Sequence, residues 1–323
     1  MTAPKLTLPA RRLPWLEAAF WLALAACFFV LPERLALLGQ MLALGLFALS
    51  LDLALGYAGI LTVGHAAFFG AGAYAAGLLA KHGWGDPLLG LGAALAAGAL
   101  LGCATSYLMV RGADLTRLMV SIALCALLAE LVNRLSSITG GSDGLQGMEV
   151  QPVLGRFAFD LYGRTAFVYT YCVVLALFLL VRRVLRSPFG LALRGIRDNP
   201  RRMQALGAPV QARLRLAYGF SAAVAGAAGA LMAQGTQFVG LDAIGFERSA
   251  EVLIILVLGG AGRLYGGLAG ATVYMLARDG FAGMDPQYWT FWLGIFLIAA
   301  ALLGRGGIMG LLSRLVRVKE EAP

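Results

Sequence analysis

Ionisable and nucleophilic side chains are scarce in this 323-residue chain, so each one set in an apolar stretch is a candidate for chemistry. Charged residues make up 13% of the sequence and hydrophobic ones 60%. Four acidic or imidazole groups fall inside apolar runs or at their edges: Asp52, His65, Glu130 and Glu251. Taking such groups out of water is costly, which makes them functional candidates wherever the surroundings are lipid. Asp52 and His65 flank a glycine-rich stretch, where a structural hydrogen bond and a transport role are both open readings. Glu130 lies close enough to a run's end to reach water.

Several enzymatic chemistries lack their residues. Lys5, Lys81 and Lys319 are the only lysines, and none stands in a G-x-x-x-x-G-K-[ST] setting, so ATP cannot be held on this chain in that way. With only His65 and His82 there is no HExxH, and no GxSxG occurs, which removes the usual zinc protease and serine hydrolase signatures. Cys27, Cys103, Cys125 and Cys172 lie in apolar segments without CxxC spacing, and read as small buried hydrophobes rather than as a disulfide frame or a metal site. No catalytic residue, metal site or cofactor is expected in this chain.

The remaining concentration of polar chemistry is cationic. Arginines 182, 183, 186, 194, 197, 201, 202, 213 and 215 stand against a single acid, Asp198. Within that block, SPFGLALRGIRDNPRRMQALG (187–207) interleaves charge with Leu191, Leu193, Ile196, Met203 and Leu206. Pro200 breaks the pattern and Gly207 is a common residue just past a helix end, so two short amphipathic helices, 191–198 and 201–206, are expected. Three roles suit such a loop: holding itself on the cytoplasmic side, attracting anionic lipid, or docking in another protein's groove.

The elements that must position these groups are membrane helices. A mean hydropathy of +0.79 is beyond what a soluble domain of this size shows. Apolar runs near the length needed to cross a hydrocarbon core of about 30 Å recur at 14–32, 35–55, 57–80, 88–110, 114–133, 164–184, 214–234, 249–260, 264–279 and 287–304. The expected fold is therefore an all-α polytopic membrane protein of about ten segments (8–10). The 43 glycines are mostly small-residue packing faces.

With the arginine block placed on the cytoplasmic side, counting crossings puts both termini there too. Only Arg34, Lys81, Arg134, Arg156, Arg164, Arg248 and Arg278, of 26 basic residues, then fall outside. The expected organisation is a cytoplasmic tail over 1–13, a transmembrane region over 14–304 and a second cytoplasmic tail over 305–323. Within the transmembrane region, 134–163 is the long outer loop and 185–212 the cytoplasmic one. A net charge of +9 fits this basic cytoplasmic side and does not call for nucleic acid.

Two stretches are interrupted by glycine: GYAGILTVGHAAFFGAGAYAAG (56–77) and GGAGRLYGGLAGATVY (259–274). Both begin G-x-A-G-x-L, the pattern expected of inverted repeats with broken or re-entrant helices beside a solute path.

Four blocks in order, GYAGILTVGHAAFFGAGAY (56–74), ITGGSDGL (138–145), the 187–207 loop and VLGGAGRLYGGLAGA (257–271), resemble the M-type membrane subunit of branched-chain amino acid ABC permeases. The likeness runs from about 35 to 304. It implies a bacterial inner-membrane importer with a homologous second permease subunit, two cytoplasmic ABC ATPases that hold the ATP and Mg, a periplasmic binding protein and lipid as partners. It implies coupling to the ATPases through Leu193, Arg194, Gly195, Ile196, Arg197, Asp198 and Asn199, and through Ala205, Leu206 and Gly207. On this reading Leu193, Ile196 and Leu206 fill the ATPase groove, Arg194 and Arg197 meet its acids, and Gly64, His65, Phe68 and Phe69 line the path. Leucine, isoleucine and valine are the expected solutes; close relatives of the family carry urea, short amides or aromatic and other carboxylates, and the rival reading is an autonomous secondary carrier or channel. Thr62 and Val63, Met203 and Gln204, and the 111–124 segment depart from the family's usual residues.

Overall fold

The computed structural model describes residues 14–112, 114–160, 163–303 and 307–310. The 1–13 tail and most of the 305–323 tail, with their basic residues, lie outside the described residues. All the regular elements among the described residues are helical.

Each of the ten apolar runs contains a helix, although 58–65 of the third run is not helical. In chain order the helices are α1 (Pro14–Val30), α2 (Leu35–Asp52), α3 (Ala66–Lys81), α4 (Pro87–Arg111), α5 (Asp114–Arg134), a single turn α6 (Ser136–Thr139), and α7 (Arg164–Arg186). They continue with α8 (Pro188–Asp198), α9 (Pro200–Ala205), α10 (Val210–Thr236), α11 (Phe246–Gly259), α12 (Gly266–Met284) and α13 (Trp289–Leu303). Among the described residues five spans are long and apolar enough to cross a membrane: Pro32–Tyr57, Pro87–Arg111, Leu115–Arg134, Arg164–Arg186 and Val210–Thr236.

Local chemistry sets several boundaries. Asp86 caps α4 by accepting from Leu88 N at 3.0 Å, with Pro87 at the first helical position. Arg183 and Arg186 sit in the last turn of α7, where the helix dipole favours cations.

The middle of the molecule is α10, buried along most of its length although its side chains are small. A side chain at Gly226 would collide with Ala94 O of α4, and one at Gly72 of α3 would collide with Gly226 O. Likewise a side chain at Gly229 would strike Phe69 O. Backbones thus meet directly, and van der Waals contact replaces the hydrophobic drive that lipid does not supply. Of the cysteines, Cys125 alone is fully buried, while Cys103 and Cys172 face outward; the expectation of burial is corrected for those two.

The two glycine-broken stretches form hairpins. In the first, α2 ends at Asp52, a π turn covers Leu53–Tyr57, and residues 58–65 return alongside α2 before α3 begins. His65 comes back level with Ser50, and Phe69 packs on Phe47 with ring centroids 4.5 Å apart, so α3 runs antiparallel to α2. In the second, Gly259 abuts Gly266, and Ile255 abuts Gly270, so α12 runs antiparallel to α11. Because Gly45 meets Leu268, Leu49 meets Gly267 and Asp52 meets Gly262, α2 also runs antiparallel to α12. It follows that α2 and α11 point the same way. The two hairpins share one sense, and the expectation that they are an inverted pair is corrected.

The long loop between α5 and α7 is ordered by its own hydroxyls and a β-bridge to the segment after α10. Thr139 Oγ1 donates to Val132 O (2.6 Å) and Leu135 O (3.0 Å), while Leu145 and Val239 exchange antiparallel backbone bonds. Leu145 and Met148 are buried against Gly77 of α3.

Candidate functional site

The start of α3 is a helix N-terminus buried inside a helical protein, and an unpaired backbone amide there is expensive. Serines from two other helices, with Thr62 of the preceding turn, supply missing partners. Val63 N donates to Ser121 Oγ of α5 at 3.1 Å, and Ala66 N donates to Ser249 Oγ of α11 at 2.9 Å. Gly64 N donates to Thr62 Oγ1 at 3.2 Å.

His65 Nε2 lies 3.0 Å from Ser50 Oγ of α2 and 3.4 Å from Ser221 Oγ of α10. The proton count fixes its role. Ser50 Oγ–H is spent on Phe47 O (2.6 Å) and Ser221 Oγ–H on Ser50 O (2.5 Å). Both serine oxygens therefore accept, and Nε2 must carry the hydrogen.

The four residues expected to line a path are packed in this core. His65 and Phe68 have no exposed surface, Phe69 has 2%, and Gly64 is buried with its backbone against Ser121. Phe68 meets both His65 and Tyr218 edge-on at centroid distances of 5.5 and 5.4 Å. Two cavities of about 280 Å³ lie elsewhere. One sits between the starts of α2 and α7 and the end of α10, beside Gln40, Asp160 and Gln237. The other is an apolar crevice between α11 and α13, beside Leu253 and Leu297. In this conformation His65 is a structural anchor.

The arginine-rich loop forms the two expected helices, displaced slightly: α8 starts at Pro188 and α9 runs from Pro200 to Ala205. Asn199 is the joint, and its side chain caps α9 by accepting from Arg202 N at 3.0 Å. Gly207 closes α9 with φ +79°, and Ala208 N returns to Met203 O at 3.0 Å.

The faces divide sharply. Leu193 and Ile196 are 2% and 1% exposed, packed into this chain's own core, so they cannot fill a groove on another protein. Leu191 and Leu206, at 62% and 72%, are the apolar side chains of the loop that stand outward. Gly195 packs on Met203, which folds α9 back on α8. Asp198, Asn199, Arg201, Arg202 and Ala205 are exposed.

The arginines of α8 reach the first break. Arg194 lies over the Tyr57 ring, 5.3 Å from its centroid, and Arg197 Nη1 donates to Gly56 O. Asp52, flagged by the sequence, accepts from Gly262 N of the second break at 2.6 Å. Glu130 pairs with Arg134 at 2.8 Å on an exposed surface, and Glu251 pairs with Arg248 at 2.7 Å. Among the described residues no three His, Cys, Asp or Glu side chains converge as a metal site would require.

Sequence reasoning missed Ser50, Ser121, Ser221 and Ser249. The available signal was their position: each is a lone hydroxyl in an apolar run, where it must find a hydrogen-bond partner inside the protein.

Comparison with known proteins bears on what these parts serve. Residues 34–301 match the family described as the permease component of branched-chain amino acid transport systems. The high-affinity branched-chain amino acid transport system permease proteins LivM of Escherichia coli (strain K12) and Salmonella typhimurium (strain LT2) are each 30% identical to this chain. Each alignment covers 86% of this chain and 72% of the relative. No solved structure matches the chain. A family match across both broken hairpins, the α5–α7 loop and the α8–α9 pair, together with an all-helical apolar fold, makes this multi-pass membrane protein a member of the branched-chain amino acid transport permease family.

Proposed function

We propose that this chain is the membrane-spanning subunit of an ABC importer in a bacterial inner membrane. It moves leucine, isoleucine, valine or a similarly small apolar amino acid, driven by ATP hydrolysis in separate subunits. The observation that carries the reading is the family match over 34–301, joined to a cytoplasmic loop whose outward face is more than a topological anchor needs. All ten long helices are taken to cross the membrane with both termini cytoplasmic, since the arginine block and the other basic clusters then share one side.

The partners are a homologous permease subunit, two ATPases that bind ATP and Mg, and a periplasmic binding protein delivering solute to the outer loops. Docking on the ATPases falls to the outward residues Leu191, Asp198, Arg201, Arg202 and Leu206, with Asn199, Ala205 and Gly207 holding α9 in shape. Leu193, Gly195 and Ile196 fix α8 to the permease itself. Two short helices joined by a cap form a rigid lever, and a rigid lever passes a rigid-body motion on to α7 and α10.

Purification of the tagged chain co-expressed with its genomic neighbours tests this directly. Stable recovery with two ATPase subunits is expected, and Leu206→Asp is expected to abolish it while leaving the permease in the membrane. Recovery of the chain alone, in every detergent that preserves its fold, would remove the importer reading.

A further inference from the structure

The sequence likeness between the two broken stretches has a three-dimensional counterpart. Gly59 and Gly262 hold the same place in their G-x-A-G-x-L segments, and both are left-handed, with φ +70° and +77°. Only glycine takes that conformation without strain. Both also face one side chain of α8. A Cβ on Gly59 would lie 3.2 Å from Arg197 Cγ and 3.5 Å from Arg197 Cβ, and a Cβ on Gly262 would lie 3.1 Å from Arg197 Nη1. The stem of Arg197 therefore crosses the first break and its guanidinium ends at the second, donating to Gly56 O on the way. Asp52 ties the breaks together from the other side through Gly262 N.

We propose that Arg197 is a positioning residue that fastens α8 to both glycine breaks at once, so that one movement of the cytoplasmic loop shifts the α2–α3 and α11–α12 hairpins together. The proposal rests on the importer reading and assigns Arg197 to the permease side of the joint rather than to the ATPase surface. The planar guanidinium suits this role. It presents several fixed donors and can reach a carbonyl in one hairpin while lying against the backbone of the other. Lysine offers a point charge with freely rotating donors and can serve Gly56 O alone. Both hairpins point the same way, so a shared fastening displaces them in one direction, and the helices they support, α10 and α5 through the serines around His65, move with them.

The test uses the assembled transporter in proteoliposomes with wild-type, R197Q and R197K chains. Three quantities are read: recovery of the ATPases with the permease, ATP hydrolysis, and leucine uptake per ATP. For R197Q the proposal expects unchanged ATPase recovery, hydrolysis within about twofold of wild type, and uptake per ATP lowered by about tenfold or more, the scale of a typical coupling between sites. R197K is expected between the two, and it serves alone if R197Q does not fold. Uptake per ATP equal to wild type in either variant overturns the proposal. So does a loss of uptake that merely follows loss of ATPase recovery, because Arg197 would then be a docking contact. Failure of the wild-type chain to assemble with ATPases would instead sink the importer reading.

Discussion

At the scale of single residues, His65 shows how a buried polar group in an oily chain is made inert. Its Nε2–H faces two serine oxygens whose own hydrogens are spent on backbone carbonyls, so no proton in the cluster is free to move. Removing either acceptor leaves a shared donor poorly satisfied. Ser50→Ala and Ser221→Ala are each expected to lower stability by about 1–3 kcal/mol, read as a fall in the thermal midpoint of the purified chain. Because both hydroxyls serve one N–H, each single variant keeps one acceptor, and the double variant, which leaves the donor with none, should cost more than the sum of the singles. The sequence made His65 visible as an isolated imidazole, but its partners come from residues 15 and 156 positions away. Nothing in the local pattern around Ser221 says that it meets a histidine. Asp52 was legible for the same reason as His65, and its bond to Gly262 N was not, because the bond spans 210 positions.

At the scale of elements, helices were legible wherever hydropathy alone decides, which is why every apolar run contains one, the 58–65 break being the part hydropathy hid. The amphipathic α8 and α9 were legible as well, from Pro200, Gly207 and the alternation of charge. What hydropathy could not tell is which face of α8 turns inward: Leu191 and Leu193 read alike in sequence, yet one is 62% exposed and the other 2%. The relative sense of the two broken hairpins was likewise hidden, since G-x-A-G-x-L reads the same in either sense. Glycines separate into two kinds by their surroundings. Gly72 lies on the α3–α10 contact, so Gly72→Ala forces backbones apart and is expected to cost about 1–3 kcal/mol. Gly92 of α4 has open space around it, so Gly92→Ala is expected to be neutral or to gain up to about 1 kcal/mol. Denaturation of the two purified variants in the same detergent compares them, and equal midpoints would contradict direct backbone packing as the source of cohesion.

At the scale of the whole molecule, the proposed importer role makes this chain a transmitter of motion. In that role the α8–α9 pair is a two-helix lever on the proposed cytoplasmic face, anchored by Leu193 and Ile196. Above the lever, Arg194 and Arg197 meet the first break, Asp52 joins it to the second, and serine hydroxyls support the buried start of α3. The measurement that tests this most directly is leucine uptake into proteoliposomes holding the chain with its partner permease, ATPases and binding protein, compared with the chain alone. Accumulation that requires the ATPases, internal or external ATP on their side of the membrane, and the binding protein is the predicted result. Leucine flux through the chain by itself, without ATP, would contradict it.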